Sequence, residues 1–363
     1  MKQLPCEGIT VIELASVLAG PSVGQFFAEL GAEVIKIESA YGDVTRSWKL
    51  PSESKDNDRP AYFTSVNWGK TSRQLNLKKI EDREKLYAWV AEAQIVIASY
   101  KPGDAKKLGV DYDTLSRYNP QLIYGSITGY GQDDPRVGYD AIIQAEAGFL
   151  YMNGSPEGEP VKMPVALMDV LAAHQLKEAL LLSLLQLERS GVGGEVSVSL
   201  FDAAVSALSN QATNYLNANH LPQRMGSGHP NIVPYGNTFV TQEGDLVLLA
   251  VGTDKQFESL CELLGLEIEE QFKTNFMRVK NRELLLPILA EKIANFPSVE
   301  LLLMLSDKKI PAGRVNNMQQ VFEQPQAQQL LWEGEGFRGV KQAVAKGKAC
   351  QTATSLSAPP HKP

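Results

Sequence analysis

Two hydrophobic periods alternate along the first two hundred residues. Ile9–Leu14 is a β-branched run of strand length, and Val23, Phe26, Phe27 and Leu30 follow at the i, i+3, i+4, i+7 spacing of a helix face. Pro21 and Ser22 suit the start of that helix and Gly31 its end. Ala32–Ile37, Ile95–Ala98 and Leu122–Ser126 read as further strands, with an amphipathic helix over Lys79–Ala93. Strands separated by helices of this length imply parallel pairing and an α/β, doubly wound sheet. From Val170 to Leu187 the pattern becomes an almost wholly apolar helix, which must be buried in a domain core or at a subunit interface. Gly191-Val-Gly-Gly194 ends it, and Glu195–Leu200 alternates like a strand. Residues 210–235 are polar and rich in Asn, Gly and Pro, and read as a long connection. A hairpin, Phe239–Thr241 and Leu246–Val251 turning at Glu243-Gly244-Asp245, opens a second unit, followed by helices over Asp254–Leu264, Asn281–Asn295 and Ser298–Leu305.

This pattern divides the 363 residues into a large domain at 1–200, a linker at 201–225, a small α+β domain at 226–325 and a C-terminal segment, 326–363, that returns to the large domain. Two domains also match the length, at about 150 residues each. With 44% hydrophobic and 21% charged residues the chain can bury an ordinary core. Its 35 Lys+Arg stand against 42 Asp+Glu, a net charge of −7, which argues against nucleic acid as a partner while allowing a local basic pocket for one anionic ligand. Cys6, Cys261 and Cys350 are odd in number and form no C-x-x-C pair, and the four histidines make no H-E-x-x-H pattern. A disulfide framework and a metal site are therefore not expected. No stretch approaches 18 uninterrupted apolar residues and no cleavable leader is evident, so the expectation is a cytoplasmic protein with no membrane partner.

Several residues carry possible chemistry. Glu38, at the end of the second strand, sits where a dinucleotide-binding fold places its ribose-binding acid. The glycine fingerprint is missing, however: Ala15-Ser-Val-Leu-Ala-Gly-Pro21 replaces G-x-G-x-x-G, so Glu38 reads as a strand-end acid without a ligand. Gly42-Asp-Val-Thr-Arg46 reads first as a loop. Lys70, Lys78, Lys101, Lys106 and Lys107 either converge on a phosphorylated ligand or form a solvated rim. Gly226-Ser-Gly-His-Pro-Asn231 is a flexible linker or a mobile flap. Asp169 immediately precedes the apolar helix, where an aspartate commonly serves as N-cap. The same position keeps a carboxylate ionised, the form a nucleophile needs. There is no G-x-S-x-G elbow and no Walker loop.

In combination these segments resemble the family III CoA-transferases, the group of formyl-CoA transferase and carnitine CoA-transferase, which share their fold with the α-methylacyl-CoA racemases. The resemblance runs from about residue 5 to about residue 325. It rests on Gly8-Ile-Thr-Val-Ile-Glu-Leu14, Ala19-Gly-Pro21, Leu30-Gly-Ala-Glu-Val-Ile-Lys-Ile-Glu38, Gly42-Asp-Val-Thr-Arg46 and Asn67-Trp-Gly-Lys-Thr-Ser72. Leu75-Asn-Leu-Lys78, Lys101-Pro-Gly103, Leu108-Gly-Val-Asp-Tyr-Asp113, Asn119-Pro-Gln-Leu-Ile-Tyr124, Ile127-Thr-Gly-Tyr-Gly-Gln132 and Gly138-Tyr-Asp140 continue it in order.

The resemblance implies a Rossmann-like large domain plus a smaller domain, in two ring-shaped subunits interlocked as a homodimer. It implies Asp169 as catalytic nucleophile, and coenzyme A or acyl-CoA as substrate beside a small carboxylic acid, with no tightly bound cofactor. CoA would lie against Val17 and Leu18, a strand at Leu75–Lys78, Ser99, Tyr100, Lys101, Lys107 and the stretch Val137, Gly138, Tyr139 and Asp140. Gly226, Ser227 and Gly228 match the family's glycine loop near the active site. Departures are also visible. Leu18 stands where formyl-CoA transferase has glutamine, Asp140 where it has glutamate, and Ala173 where the family often has glycine. Tyr139 stands where racemases have a histidine base, which favours CoA transfer over α-proton exchange. A racemase-type isomerase and a non-catalytic CoA-binding protein are the alternatives. Leu18, Met168 and Met152 hint at an apolar acyl pocket.

Overall fold

The computed structural model describes residues 3–348 and 350–363, which divide into two compact units. The first comprises residues 3–147, 163–209 and the described residues of 326–363. Its core is a six-stranded sheet of β1 (Thr10–Leu14), β2 (Glu33–Glu38), β3 (Lys70–Gln74), β4 (Ile95–Ala98), β5 (Ile123–Thr128) and β6 (Gly194–Ser199), in the order β3-β2-β1-β4-β5-β6. Every pairing is parallel. β4 and β5 are buried along their whole length, as expected of strands covered on both faces. On one face, Ile12, Leu14, Val96, Ala98 and Tyr124 pack against Leu86, Tyr87 and Val90 of the Ile80–Val90 helix. The other face carries the helices Ala19–Glu29 and Leu167–Ser190; a Cβ on Gly125 of β5 would meet Leu176 and Leu180 at 3.1 and 2.9 Å.

The apolar helix is longer than its pattern indicates, Leu167–Ser190 rather than Val170–Leu187. By length and composition alone it could cross a membrane. In this fold Met168, Ala172, Ala173, Leu176 and Leu180 are buried, whereas Leu181, Leu182 and Leu185 are 41%, 67% and 41% exposed. Burial is therefore confined to one stripe of the helix.

Residues 326–363 lie on the first unit. β10 (Leu331–Gly334) and β11 (Phe337–Val340) form an antiparallel ribbon, fixed by the buried carboxylate of Glu29. Glu29 accepts the Trp332 indole N–H at 2.8 Å and the Gln342 N–H at 2.9 Å.

The second unit comprises 148–162 and 210–325. β7 (Tyr235–Val240), β8 (Leu246–Ala250) and β9 (Ala312–Arg314) make a three-stranded antiparallel sheet. Its core is formed by Val247, Leu249, Phe257, Leu260, Leu289 and Leu301, drawn from β8 and the helices Asp254–Leu264, Arg282–Ile293 and Ser298–Asp307. The boundaries differ from those read in the sequence. Residues 201–225, expected as a linker, carry most of the Leu200–Ala207 helix and the Ser209–Ala218 helix. Residues 148–162 join the second unit because its main chain is bonded there: Gly226 N–H donates to the Gly154 carbonyl at 2.8 Å, and Arg224 Nε to that of Gly158 at 2.9 Å. Such contacts between distant segments leave no local periodicity to read.

Candidate active site

In an open parallel sheet, ligands bind outside the carboxyl ends of the strands, where the strand order reverses. Here that point lies between β1 and β4, and a cavity opens there. Ser16–Ala19 follow β1, Val44 follows β2, Ser99–Pro102 follow β4, Thr128 and Gly129 close β5, and Leu200 follows β6. Asp169 and the segment Arg136–Tyr139 complete the lining.

Asp169 is the third residue of its helix, not the cap. The N-cap is Ala166, which makes no side-chain capping bond. The capping is done instead by Asp140, whose Oδ1 accepts the Met168 N–H at 2.8 Å while Oδ2 accepts Gln144 Nε2 at 2.7 Å. The helix terminus favours an ionised Asp169, yet burial, and then the charge of Asp140, outweigh it and push the carboxyl up to about 7. Asp169 is thus poised between its two forms near neutrality, where small changes in surroundings decide its reactivity.

Of the residues expected around CoA, Val17, Leu18, Ser99, Tyr100, Lys101, Val137 and Tyr139 line the cavity with Asp169. Seven others, Leu75, Lys78, Lys107, Asp140, Gly226, Ser227 and Gly228, do not line it. β3 ends at Gln74, so Leu75–Lys78 is not a strand; Leu75 is buried in the core and Lys78 is exposed in the turn that follows. Lys107 is exposed on a short helix and paired with Asp104 at 2.8 Å. Asp140 gives one oxygen to the Met168 N–H and the other to the Gln144 side chain. Gly226, Ser227 and Gly228 belong to the second unit, where Gly226 and Gly228 line a separate cavity with Met152 and His220. Met168 is fully buried, so it contributes nothing to an acyl pocket.

Lys70 is neither a phosphate ligand nor part of a solvated rim. It is buried and lies 2.8 Å from Glu13 Oε2, and burial brings its pKa down to about 8 despite that partner. Glu38 is likewise committed internally: Arg46 holds it through Nη2 at 2.6 Å and Nε at 2.8 Å, and the Asp43 N–H donates to it at 2.7 Å.

Two residues escape the sequence reading. Arg136 lines the cavity, stacks on Tyr130 at 3.8 Å and pairs with Asp134 at 2.8 Å. Its position immediately before Val137 was the available signal. Tyr62 gives no motif at all. Burial, followed by the charges of Asp169, Asp140 and Asp43, raises its phenol.

The family model for CoA-transferase family III matches residues 6–357. The chain belongs to CoA-transferase family III. This family III CoA-transferase is 39% identical to the succinate–glutarate CoA-transferase of Agrobacterium fabrum, over 89% of the chain and 83% of that protein. It is 35% identical to the human succinyl-CoA:glutarate CoA-transferase, over 89% of the chain and 74% of its relative. The succinyl-CoA:mesaconate CoA-transferase of Haloarcula marismortui is 34% identical, with 88% and 82% covered. Among solved structures, a CAIB/BAIF family protein from Brucella suis superimposes with a TM-score of 0.87 at 38% identity, covering 99% of this chain and 96% of that one. The family III CoA-transferase is thus an enzyme that transfers CoA, on a mixed α/β fold with a parallel six-stranded sheet.

Proposed function

We propose that the enzyme moves CoA from an acyl-CoA donor to a short dicarboxylic acid, with Asp169 as covalent nucleophile. The observation that carries this reading is a carboxylate with a pKa of about 7, lining a cavity at the carboxyl ends of the strands. Ionised Asp169 attacks the thioester carbonyl of the donor. The C–S bond breaks, giving a mixed anhydride between Asp169 and the acyl group, and CoA thiolate. The thiolate then attacks the aspartyl carbonyl and releases the donor acid as its carboxylate. The acceptor carboxylate attacks the resulting aspartyl thioester, forming a second anhydride, and the thiolate returns to the new acyl group. Asp169 leaves as carboxylate, so charge and atoms balance over the cycle. Dividing one exchange into covalent steps of this kind is nucleophilic catalysis. Lys101 and Arg136 supply positive charge at the cavity for CoA or the acceptor.

Dicarboxylic acids are favoured by the relatives, whose names pair succinate with glutarate, succinyl-CoA with mesaconate, and acetyl-CoA with oxalate. Leu18 at the cavity supports an acceptor longer and less polar than oxalate. No histidine is among the described residues lining the Asp169 cavity, which leaves α-proton exchange without its second base. The direct test is a panel of acyl-CoA donors against C2 to C6 mono- and dicarboxylic acids, read by mass spectrometry. Transfer to glutarate or succinate is expected; transfer confined to monocarboxylic acids would overturn the substrate class.

A further inference from the structure

A buried ionic network lies behind the β1 wall of the cavity. Glu13, Lys36, Asp43 and Lys70 are all buried, and Glu13 and Lys36 are direct register partners on β1 and β2. Lys36 Nζ reaches Glu13 Oε1 and Asp43 Oδ2, each at 2.9 Å, and donates to the Ala15 carbonyl at 2.8 Å. Two residues on, the Val17 N–H is shared by both oxygens of Asp43, at 3.3 and 3.4 Å. The tripeptide Ala15–Val17 is therefore tethered at both ends to one ion pair. Val17 needs the tether, since its φ is +72°, a left-handed conformation that a β-branched residue resists. The helix that begins at Ala19 fixes the chain beyond it.

The same carboxylate holds a second piece of the wall. Asp43 Oδ1 accepts the Thr45 N–H at 3.0 Å and the Thr45 hydroxyl at 2.8 Å, closing a turn over Val44, and Val44 lines the cavity. A buried carboxylate so fully engaged is committed to one geometry, because any donor it released would be left without a partner.

We infer that Asp43 is a positioning residue for CoA transfer: through the Val17 N–H it holds the Ser16–Ala19 turn in the strained shape that forms one wall of the Asp169 cavity. Asp43 touches no reacting atom; it acts through Val17. The inference rests on the reading of this cavity as the thioester site.

The test is a double-mutant cycle on the full-length enzyme. Glycine adopts a left-handed φ without the Cβ clash, so the turn needs less bracing in a Val17→Gly background. Asp43→Asn is expected to lower kcat/KM for the acyl-CoA donor at least about tenfold in the wild-type background, but no more than about threefold when Val17 is Gly. An equal loss in both backgrounds, or wild-type turnover by Asp43→Asn, would overturn the inference. Val17→Pro leaves every buried charge in place while removing both the N–H and the positive φ. It is expected to lose at least tenfold in kcat/KM in a variant that still folds, as read by far-UV circular dichroism, at some cost in melting temperature; wild-type turnover there would overturn the inference even if Asp43→Asn does not fold. Hydroxylamine capture of an acylated Asp169 separates the two readings. No capture in wild type removes the nucleophile and this inference together, whereas capture in Asp43→Asn at the wild-type rate removes this inference alone.

Discussion

Asp140 caps the helix of Asp169: its Oδ1 accepts the N–H of Met168 at 2.8 Å, one residue before Asp169 itself. One carboxylate thereby fixes the place of another and, by its charge, helps to raise that carboxyl to about 7, burial being the larger cause. The two effects separate by mutation. Asp140→Asn keeps a carbonyl for the Met168 N–H and removes the charge, so the pH at which the enzyme becomes active should fall while stability changes little. Asp140→Ala also removes the cap and should cost about 1 kcal/mol, measured by urea unfolding.

Transfer by wild type should rise with pH through about 7, because only ionised Asp169 is nucleophilic. A profile of kcat/KM against pH that is flat from 5 to 8 would contradict this. Stability should move the opposite way. The folded pKa is raised above the unfolded one, so the stability present below about pH 4 is lost as pH rises towards 7. Asp169→Asn, which does not ionise, should therefore be more stable than wild type at pH 8, by roughly 2–4 kcal/mol, and equal to it near pH 4. Parallel urea titrations at the two values read the difference.

Glu29 should anchor the C-terminal segment. Its replacement by Ala strands the Trp332 indole N–H and the Gln342 N–H that it accepts at 2.8 and 2.9 Å. With the Ala343 N–H, which Glu29 also accepts, three orphaned donors and a lost buried side chain should cost at least about 3 kcal/mol. Limited proteolysis should then cleave first within residues 326–363. Unchanged protection would mean that the β10–β11 ribbon holds without Glu29.

Leu181, Leu182 and Leu185 expose an apolar stripe on a helix otherwise buried along its other side. A second copy of the chain is the expected cover, and light scattering should give roughly twice the chain mass, independent of dilution. A monomer at micromolar concentration would contradict it.

The parallel sheet was legible because β1, β2, β4 and β5 each carry an apolar run of strand length, whereas the reading of Asp169 as nucleophile rests on the family resemblance. β3 was not, since Lys70–Gln74 is polar: Lys70 is buried through an ion pair rather than an apolar side chain. The roles of Asp140 and Asp43 were hidden for a related reason. Asp140 acts on Met168 and Asp43 on Val17, 28 and 26 residues away in sequence, and pattern reading sees only neighbours. Lys78 and Lys107 show the converse, with a matching motif but side chains turned to solvent.

The central claim, covalent transfer through Asp169, is tested most directly by trapping. Wild-type enzyme is incubated with succinyl-CoA, quenched with hydroxylamine, digested and mapped by mass spectrometry, beside Asp169→Asn treated identically. The expected result is a hydroxamate on the Asp169 peptide of wild type, dependent on acyl-CoA, together with at least a ~1,000-fold loss of transfer in a folded Asp169→Asn variant. Absence of the hydroxamate from an active wild-type enzyme, or substantial transfer by Asp169→Asn, would contradict it.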